Sequence, residues 1–569
     1  MAYLLSAGLL VASDRLSSNK GRSKLVHSLA YHLGLLDGVE DEVLAEGEEQ
    51  AEGTQSLLEL LLDHEQLLSP THDGSNKAKV YEPQAVSTER VLSYHTKSYV
   101  DALLAGISCG SEQDLETFGL LDDCPRFQGL EDYVKHVAGA SITAADLLAS
   151  DEADVAICWD GGRHHAHKAR AAGFCYVNDV VLAIMELKKL RKVTVRLDTS
   201  AEEQEEQATS SGSVTPSPLG FGARPEDIAR AHAAGGAHSA TGKGSSAART
   251  RDHQRPPASR KRRVMMRRLE RILYLDLDLH WGDGVEEAFI DSSSVLTLSI
   301  HNEAPGFYPV PPPLRKAETG HDADEDQGKT YALRLPLQPG VGAATWRRVW
   351  KTCVEPVMEA YEPEAIVVQC GLDGLAGDAM DQWNLDLSTL LDSVQTVLDW
   401  ARKANAKVLL LGGGGYHSPN AARGWAAMTA LALGRMDTDG KEEAQREGDI
   451  AQDRDARDDV SPLEKTDLVT LPSHPEDYQD SSSTTASPTK EVAQEPRPIP
   501  PPRKDRLHLS SPIPTTLSPW PDFGPTFTLD VAAGDRADVM HDEAYVGAVE
   551  RRFEGVVRSL EKRKGGVYP

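Results

Sequence analysis

Ile272-Leu273-Tyr274-Leu275-Asp276-Leu277-Asp278-Leu279-His280 opens as an apolar run and closes with three polar residues at every second position. The apolar opening predicts a strand buried on both faces, as in parallel sheets. Alternate residues of a strand share a face, so Asp276, Asp278 and His280 point one way and the leucines the other. A buried carboxylate is costly unless it is neutralised. No Lys or Arg lies within this stretch to neutralise two of them. A divalent metal fits the pattern, since Asp oxygen and His nitrogen are ordinary zinc ligands. The plainer reading of the same residues is a salt-bridged polar strand end.

Working outward, short apolar runs recur at 155–159, 295–300, 365–370 and 408–411, with helical patterns at 179–189 and 387–405. This alternation predicts an α/β domain whose central, mostly parallel sheet is flanked by helices on both faces. The apolar opening, 1–12, lacks a basic start and reads as a first strand rather than a signal peptide. No run approaches the roughly 18 apolar residues of a membrane span.

Four strands deliver glycines and polar residues at or just past their C-terminal ends. The run at 155–159 leads to Gly161-Gly162-Arg163-His164-His165, and the one at 272–279 leads to Gly282-Asp283-Gly284. The run at 365–370 leads to Gly371-Leu372-Asp373-Gly374, and the one at 408–411 leads through four glycines to Tyr416. Sites in parallel α/β sheets form outside the carboxyl ends of the strands. Asp373 is the natural third metal ligand, and an Asp–His–Asp set leaves a position open for water. Taken alone, Asp373 reads as a loop or capping residue. The paired His164 and His165 suggest acid–base work, with Asp276 and Asp283 as their orienting carboxylates. A lone histidine would read as a packed core residue. Tyr416 can donate to an oxyanion, or be an ordinary aromatic at a pocket rim.

The chain has 569 residues and a net charge of −28, most of it in two segments. Residues 37–75 hold 12 acidic and no basic residues, and residues 437–480 hold 15 acidic and 5 basic. The acidity therefore says little about the substrate of the rest. Three insertions are expected, at 38–76, 191–266 and 437–515, all reading as disordered; 57–62 within the first suggests a short helix. The second ends in Arg260-Lys261-Arg262-Arg263, which reads equally as a nuclear-import signal, a nucleic-acid patch or a solvated basic loop. The six cysteines form no CxxC pair, which argues against a disulfide framework and a cysteine metal site.

Taken together the motifs resemble those of the class I histone deacetylases, a zinc-dependent family with the arginase/deacetylase fold. The resemblance rests on Arg22-Ser23-Lys24-Leu25-Val26-His27, Asp123-Cys124-Pro125, Gly161 to Ala166, and Gly173-Phe174-Cys175-Tyr176-Val177-Asn178-Asp179. It continues through Asp276 to Val285, Pro305-Gly306-Phe307-Tyr308-Pro309, Gly412 to Tyr416, and Asn420-Ala421-Ala422-Arg423. Gly524-Pro525-Thr526-Phe527-Thr528-Leu529 looks like the family's closing motif, displaced by the third insertion. The likeness spans the chain, 1–569, outside the insertions, as one catalytic domain.

The resemblance implies hydrolysis of N6-acetyl-lysine. Asp278, His280 and Asp373 would bind zinc, which would polarise the acetyl carbonyl and a water. His165 would be the general base and then the general acid. His164 with Asp276 would give electrostatic support, Asp283 would orient His165, and Tyr416 would stabilise the oxyanion. Phe174 and Tyr308 would wall the lysine tunnel with Gly173 and Met380. Asp123 would hold the substrate backbone, and Arg22 would lie near an acetate-exit channel. A potassium ion would take carbonyls of Asp276, Asp278, His280 and Ile300 and the hydroxyl of Ser299. A second would take carbonyls of Phe289, Ser292, Val295 and Tyr331. Arg163 stands where animal members usually carry an apolar residue, Trp281 where a His is common, and Gly374 where a small hydroxyl residue is usual.

The expected partners are acetylated histone tails or other acetyl-lysine proteins and corepressor subunits, in the nucleus, with the cytoplasm also open. Neither sequence-specific nucleic-acid binding nor a membrane is expected. Two other readings share the fold: an amidohydrolase of acetylpolyamines or other small molecules, and a non-enzymatic corepressor scaffold. The retained Asp123 and Tyr176 weigh against the first, and the intact ligand set, both histidines and Tyr416 weigh against the second. A binuclear manganese hydrolase of the arginase type would need more carboxylates than the motifs provide.

Overall fold

The computed structural model describes residues 1–39, 56–62, 76–107, 109–196, 262–313, 331–437 and 506–564. They divide into two compact units, Met1–Lys189 with Arg268–Pro569, and Leu190–Arg267.

The larger unit is built on nine strands: β1 (Ala2–Leu4), β2 (Leu36–Asp37), β3 (Ala78–Tyr81), β4 (Val155–Cys158), β7 (Ile272–Asp276), β8 (Val295–Asn302), β9 (Ala332–Leu337), β10 (Ala365–Gln369) and β11 (Lys407–Leu411). The smaller unit contributes β5 (Arg191–Arg196) and β6 (Arg262–Arg267), an antiparallel pair.

The nine strands form one sheet in the order β2-β3-β1-β4-β11-β10-β7-β8-β9. Every pairing is parallel. Parallel neighbours need crossovers, which lay helices over both faces, and both faces are packed. In β10, Ile366 and Val368 join one core while Ala365 and Val367 join the other. The same alternation divides Leu273 and Leu275 from Ile272 and Tyr274 in β7. Helices Leu130–Ala149 and Asp179–Leu187 cover one face, and helices Arg22–His32, Leu387–Ala404, Ser418–Ala432 and Glu543–Lys564 cover the other. This two-sided burial explains the unbroken apolar runs.

Several boundaries differ from expectation. The opening residues supply a strand of only three residues. Ser6 then accepts a hydrogen bond from the Leu9 amide and caps a helix over Ala7–Ser13. The strand carrying the acidic motif stops at Asp276, so Asp278 and His280 stand in the bend beyond it.

The expected insertions are partly structured. Leu57–Leu61 is a helix with a Ser56/Glu59 capping box, and it buries Leu60 and Leu61. The second insertion is strand at both ends, in β5 and β6. The third rejoins described structure at Arg506 rather than after 515: Leu507 bridges to Met436, Pro512 bridges to Thr528, and Ile513 is buried. Residues 40–55, 63–75, 197–261 and 438–505, and with them most of the expected disorder, lie outside the described residues.

Arg423 ties the closing motif down. It donates from Nε to the Thr528 carbonyl at 2.8 Å and from Nη2 to the Phe523 carbonyl, while Nη1 reaches Asn420 at 3.0 Å.

Candidate active site

The four strands whose ends carry the glycine and polar loops are β4, β11, β10 and β7, and they are consecutive in the sheet. Their loops therefore emerge side by side, and the expected site residues meet there.

Asp278, His280 and Asp373 each present a ligand atom, all within 4.8 Å of one another, and all three residues are buried. His280 Nδ1 lies 3.1 Å from Asp278 Oδ1 and 2.9 Å from Asp373 Oδ2. Burial works against charge on this imidazole, but the bonds to Asp278 and then Asp373 hold its pKa up at about 10. Asp373 is pushed up to about 7, first by burial and then by Asp278. Backbone crowds the group: a Cβ on Gly414 would lie 2.1 Å from Asp373 Oδ2, so only glycine fits there. Two carboxylates and one imidazole, clustered and shielded from water, fit a zinc site.

The two histidines stand in separate dyads. His164 Nδ1 lies 2.8 Å from Asp276 Oδ2, and His165 Nδ1 lies 2.8 Å from Asp283 Oδ1. Their rings are 3.9 Å apart. Burial lowers both pKa values, but at His164 the charges of Asp276 and Asp278 outweigh it and hold the group at about 9. At His165, burial and then the neighbouring His164 push the group down to about 4. The two adjacent rings are thus tuned in opposite directions. Such a split between adjacent groups assigns acid–base roles. Burial first, then Asp373 and Asp278, holds the Tyr416 hydroxyl well above its usual range, so it stays a donor.

Comparison with known proteins agrees with this geometry. The histone deacetylase domain matches residues 48–199 and 261–432, more than half of the chain. Histone deacetylase 8 of Xenopus tropicalis is 32% identical over 361 residues, covering 63% of this chain and 73% of the relative. Its Xenopus laevis counterpart is 31% identical over 362 residues, covering 63% and 84%. Histone deacetylase 1 of Homo sapiens is 31% identical over 361 residues, covering 63% of this chain and 56% of the relative. The chain belongs to the histone deacetylase family.

In this deacetylase the expected substrate-contacting residues surround the site with one qualification. Phe174, at φ +63°, faces Tyr416 with ring centroids 6.0 Å apart, and Tyr308 lies 5.2 Å from the His165 ring. Gly173 has φ +52°, and a Cβ there would lie 2.4 Å from His165 Cδ2, so the position requires glycine on both counts. Its amide donates to exposed Asp123 at 2.8 Å. Arg22 is buried and donates to the carbonyls of Gly415 at 2.7 Å and Gly413 at 3.1 Å. Met380 is the qualification. It is partly buried and packs against the core, and its amide donates to Asp378 at 3.0 Å. Gly374 is explained by Trp383, whose Cε3 would lie 2.8 Å from a Cβ there. Ser299 pairs in register with Asp276 and accepts from the Gly282 amide at 3.3 Å.

Three positions escaped the sequence reading. Gln369, opposite Asp276 in register, donates from Nε2 to Asp278 Oδ2 at 2.8 Å. Asp378 accepts from the amides of Tyr416 and His417. His167 lies 3.3 Å from Asp283 and so shares that carboxylate with His165. Gln369 alone carried a signal: it is the only polar residue in an otherwise apolar strand.

The described cysteines are all free. Burial pushes Cys124 upward and Cys175 up to about 12, so both are packed thiols rather than reactive thiolates.

Proposed function

We propose that this deacetylase is a class I type enzyme that removes acetyl groups from N6-acetyl-lysine in histone tails and so acts in transcriptional repression. The observation that carries the reading is the placement of two oppositely tuned histidine dyads beside Asp278, His280 and Asp373. These three residues would hold the zinc. When bound there, zinc would supply Lewis-acid polarisation of the acetyl carbonyl and of a water.

The chain's own groups do the rest. His165, the neutral base, takes a proton from the attacking water at Nε2, while Asp283 holds its Nδ1. The same nitrogen then returns the proton to the departing lysine amine. His164, hydrogen-bonded to Asp276, gives electrostatic support to the negative charge that develops nearby. Tyr416 donates its hydroxyl hydrogen to the carbonyl oxygen as that oxygen becomes an oxyanion. Phe174, Tyr308 and Gly173 enclose the apolar lysine stem and keep water out, with Met380 behind them. Asp123 holds the substrate backbone at the rim. Arg22 faces the inner end, where acetate departs.

The family resemblance also supports structural potassium near Ser299, Ile300 and Asp276, corepressor partners and a nuclear site. Among the described residues no helix is long and apolar enough to cross a membrane.

The test is deacetylation of an acetyl-lysine histone-tail peptide by purified protein of measured zinc content, beside Asp278→Ala and Tyr416→Phe. Zinc-dependent turnover that collapses in both variants supports the reading. Protein that holds zinc, spares every acetyl-lysine peptide and cleaves acetylpolyamine would replace it with a small-molecule amidohydrolase.

A further inference from the structure

The basic run that closes the second insertion has no role in the proposed reaction, but its last two residues enter a strand. Arg262 and Arg263 open β6, which pairs with β5 as an antiparallel two-stranded ribbon. Six of the twelve residues in the two strands are basic and none is acidic. The register gathers the basic residues at the ends. Arg191, Lys192 and Arg267 stand at one end, where Arg191 is opposite Arg267. Arg196, Arg262 and Arg263 stand at the other, where Arg196 is opposite Arg262. The pairs between them, Val193 with Met265 and Thr194 with Val264, carry no charge. Lys192 is exposed, and so is Met266 opposite it, so the ribbon is open to solvent there.

Like charges directly opposite each other work against strand pairing. Arg196 opposite Arg262 is such a pair, and neither strand supplies an acidic residue to offset it. An anion laid along the ribbon would offset it. The chain as a whole carries a net charge of −28, so it repels polyanions in general and any attraction must be local.

The spacing selects among polyanions. Arg191 and Arg196 are five positions apart in one strand, which is about 17 Å at roughly 3.4 Å per residue. The major groove of duplex DNA is about 12 Å wide and admits a two-stranded ribbon. Phosphates wall it on both sides. Two positive ends can therefore meet both phosphate rows, with the uncharged pairs between them. An acidic peptide would be met better by an unbroken row of cations, and a lysine-rich histone tail has the wrong sign.

We propose that the β5–β6 ribbon binds duplex DNA through its phosphates, without reading base sequence, and so holds the enzyme beside acetylated histone tails. The binding stands on the ribbon alone, and its use rests on the deacetylase reading above.

The experiment has two arms, both on full-length protein. The first follows binding to a short labelled duplex by fluorescence anisotropy as salt is raised. Wild type should bind duplexes of unrelated sequence alike. Six phosphate contacts would give log K against log salt a slope of about −5. One triple variant, Arg191→Gln with Lys192→Gln and Arg267→Gln, neutralises one end. Another, Arg196→Gln with Arg262→Gln and Arg263→Gln, neutralises the other. Each should flatten the slope by about 3 and weaken binding at low salt by roughly tenfold or more. Replacing the five arginines by lysine keeps the charge and should keep the slope. The second arm compares kcat/KM on acetylated nucleosomes with that on the free acetylated tail peptide. The nucleosome-to-peptide ratio should fall about tenfold at low salt in both triple variants. Peptide turnover should stay as in wild type, which also shows that the variants are folded.

Wild type that binds no duplex at low salt would overturn the proposal, and so would a slope that neither triple variant changes. Poly-glutamate or single-stranded DNA bound as tightly as the duplex would overturn the fit to a groove. An unchanged nucleosome-to-peptide ratio in variants that have lost the duplex would overturn the role beside histone tails. If no acetyl-lysine substrate is cleaved at all, the deacetylase reading falls, and the anisotropy alone decides the ribbon.

Discussion

Asp378 accepts a hydrogen bond from the backbone amide of Tyr416 at 2.7 Å. The same carboxylate takes the His417 amide at 3.1 Å and the Met380 amide at 3.0 Å, and it is buried. One side chain thus fixes the turn that aims the Tyr416 hydroxyl. Asp378→Asn replaces one acceptor oxygen with an NH2 facing backbone donors. Hydrogen bonds to a charged group are worth about 1.5–3 kcal/mol. The expected result is a kcat lower by roughly tenfold to a hundredfold, with KM changing less and zinc content unchanged. Steady-state kinetics beside a metal assay would check this, and an unaltered kcat would remove Asp378 from the account.

Gln369 supports the metal group from behind. Its Nε2 donates to Asp278 and, at 3.3 Å, to the Gly162 carbonyl, while its Oε1 accepts from the Gly371 amide at 2.8 Å. It is fully buried, so a missing bond would not be replaced by bulk water. Gln369→Leu keeps the volume and deletes the donor. Loss of such a supporting bond lowers metal affinity by roughly 10–100-fold. Competition with a chelator of known zinc affinity would measure the change, and equal retention by both proteins would count against the assignment.

These two residues show where the sequence stopped being legible. Asp276, Asp278 and His280 stood out because two acidic residues running on from an apolar strand need neutralising. Asp373 and the histidine pair then followed as partners. Asp378 carries no such signal, because an Asp in a loop is the commonest kind of Asp, and what it does depends on a turn 38 residues away. The fold class was readable because two-sided burial writes itself as unbroken apolar runs. The opening was misread for the same reason: strand Ala2–Leu4 and helix Ala7–Ser13 are both buried, so apolarity alone did not separate them. Arg506 to Ile513 were taken for insertion because their contacts are to Met436 and Thr528, one of them far away in sequence.

Arg423 offers a test of the closing motif. It is buried, and its guanidinium satisfies the carbonyls of Phe523 and Thr528 while lying 5.0 Å over the Phe523 ring. Arg423→Ala would take this donor from the Thr528 carbonyl and leave the Phe523 carbonyl with only the Phe527 amide, at 3.2 Å. Removing a donor from a part-buried carbonyl costs about 1–3 kcal/mol, so a loss of about 2 kcal/mol is expected. Urea unfolding would measure it, and limited proteolysis should cut first between residues 506 and 535. A variant with wild-type stability would mean that the motif is anchored elsewhere.

His95 gives the native state a dependence on acid. Its Nε2 accepts the Asn178 amide at 3.0 Å. Asn178 in turn caps the helix Asp179–Leu187 and donates to the Ala166 carbonyl at 2.8 Å, beside the histidine dyads. Protonating Nε2 would end its role as acceptor. Burial pushes His95 down to about 4, against an ordinary value of 6.5. Between those values the unfolded chain binds a proton that the native imidazole refuses, so this stability is present above pH 6.5 and is lost as the pH falls toward 4. A shift of this size is worth about 3 kcal/mol. His95→Gln cannot titrate here, so the stability difference between wild type and variant should change by about that amount between pH 7 and pH 4. Chemical unfolding of both proteins across this range, with the variant subtracted to cancel the other titrating groups, isolates the effect. A difference that does not vary with pH would mean that His95 titrates alike in the folded and unfolded chain.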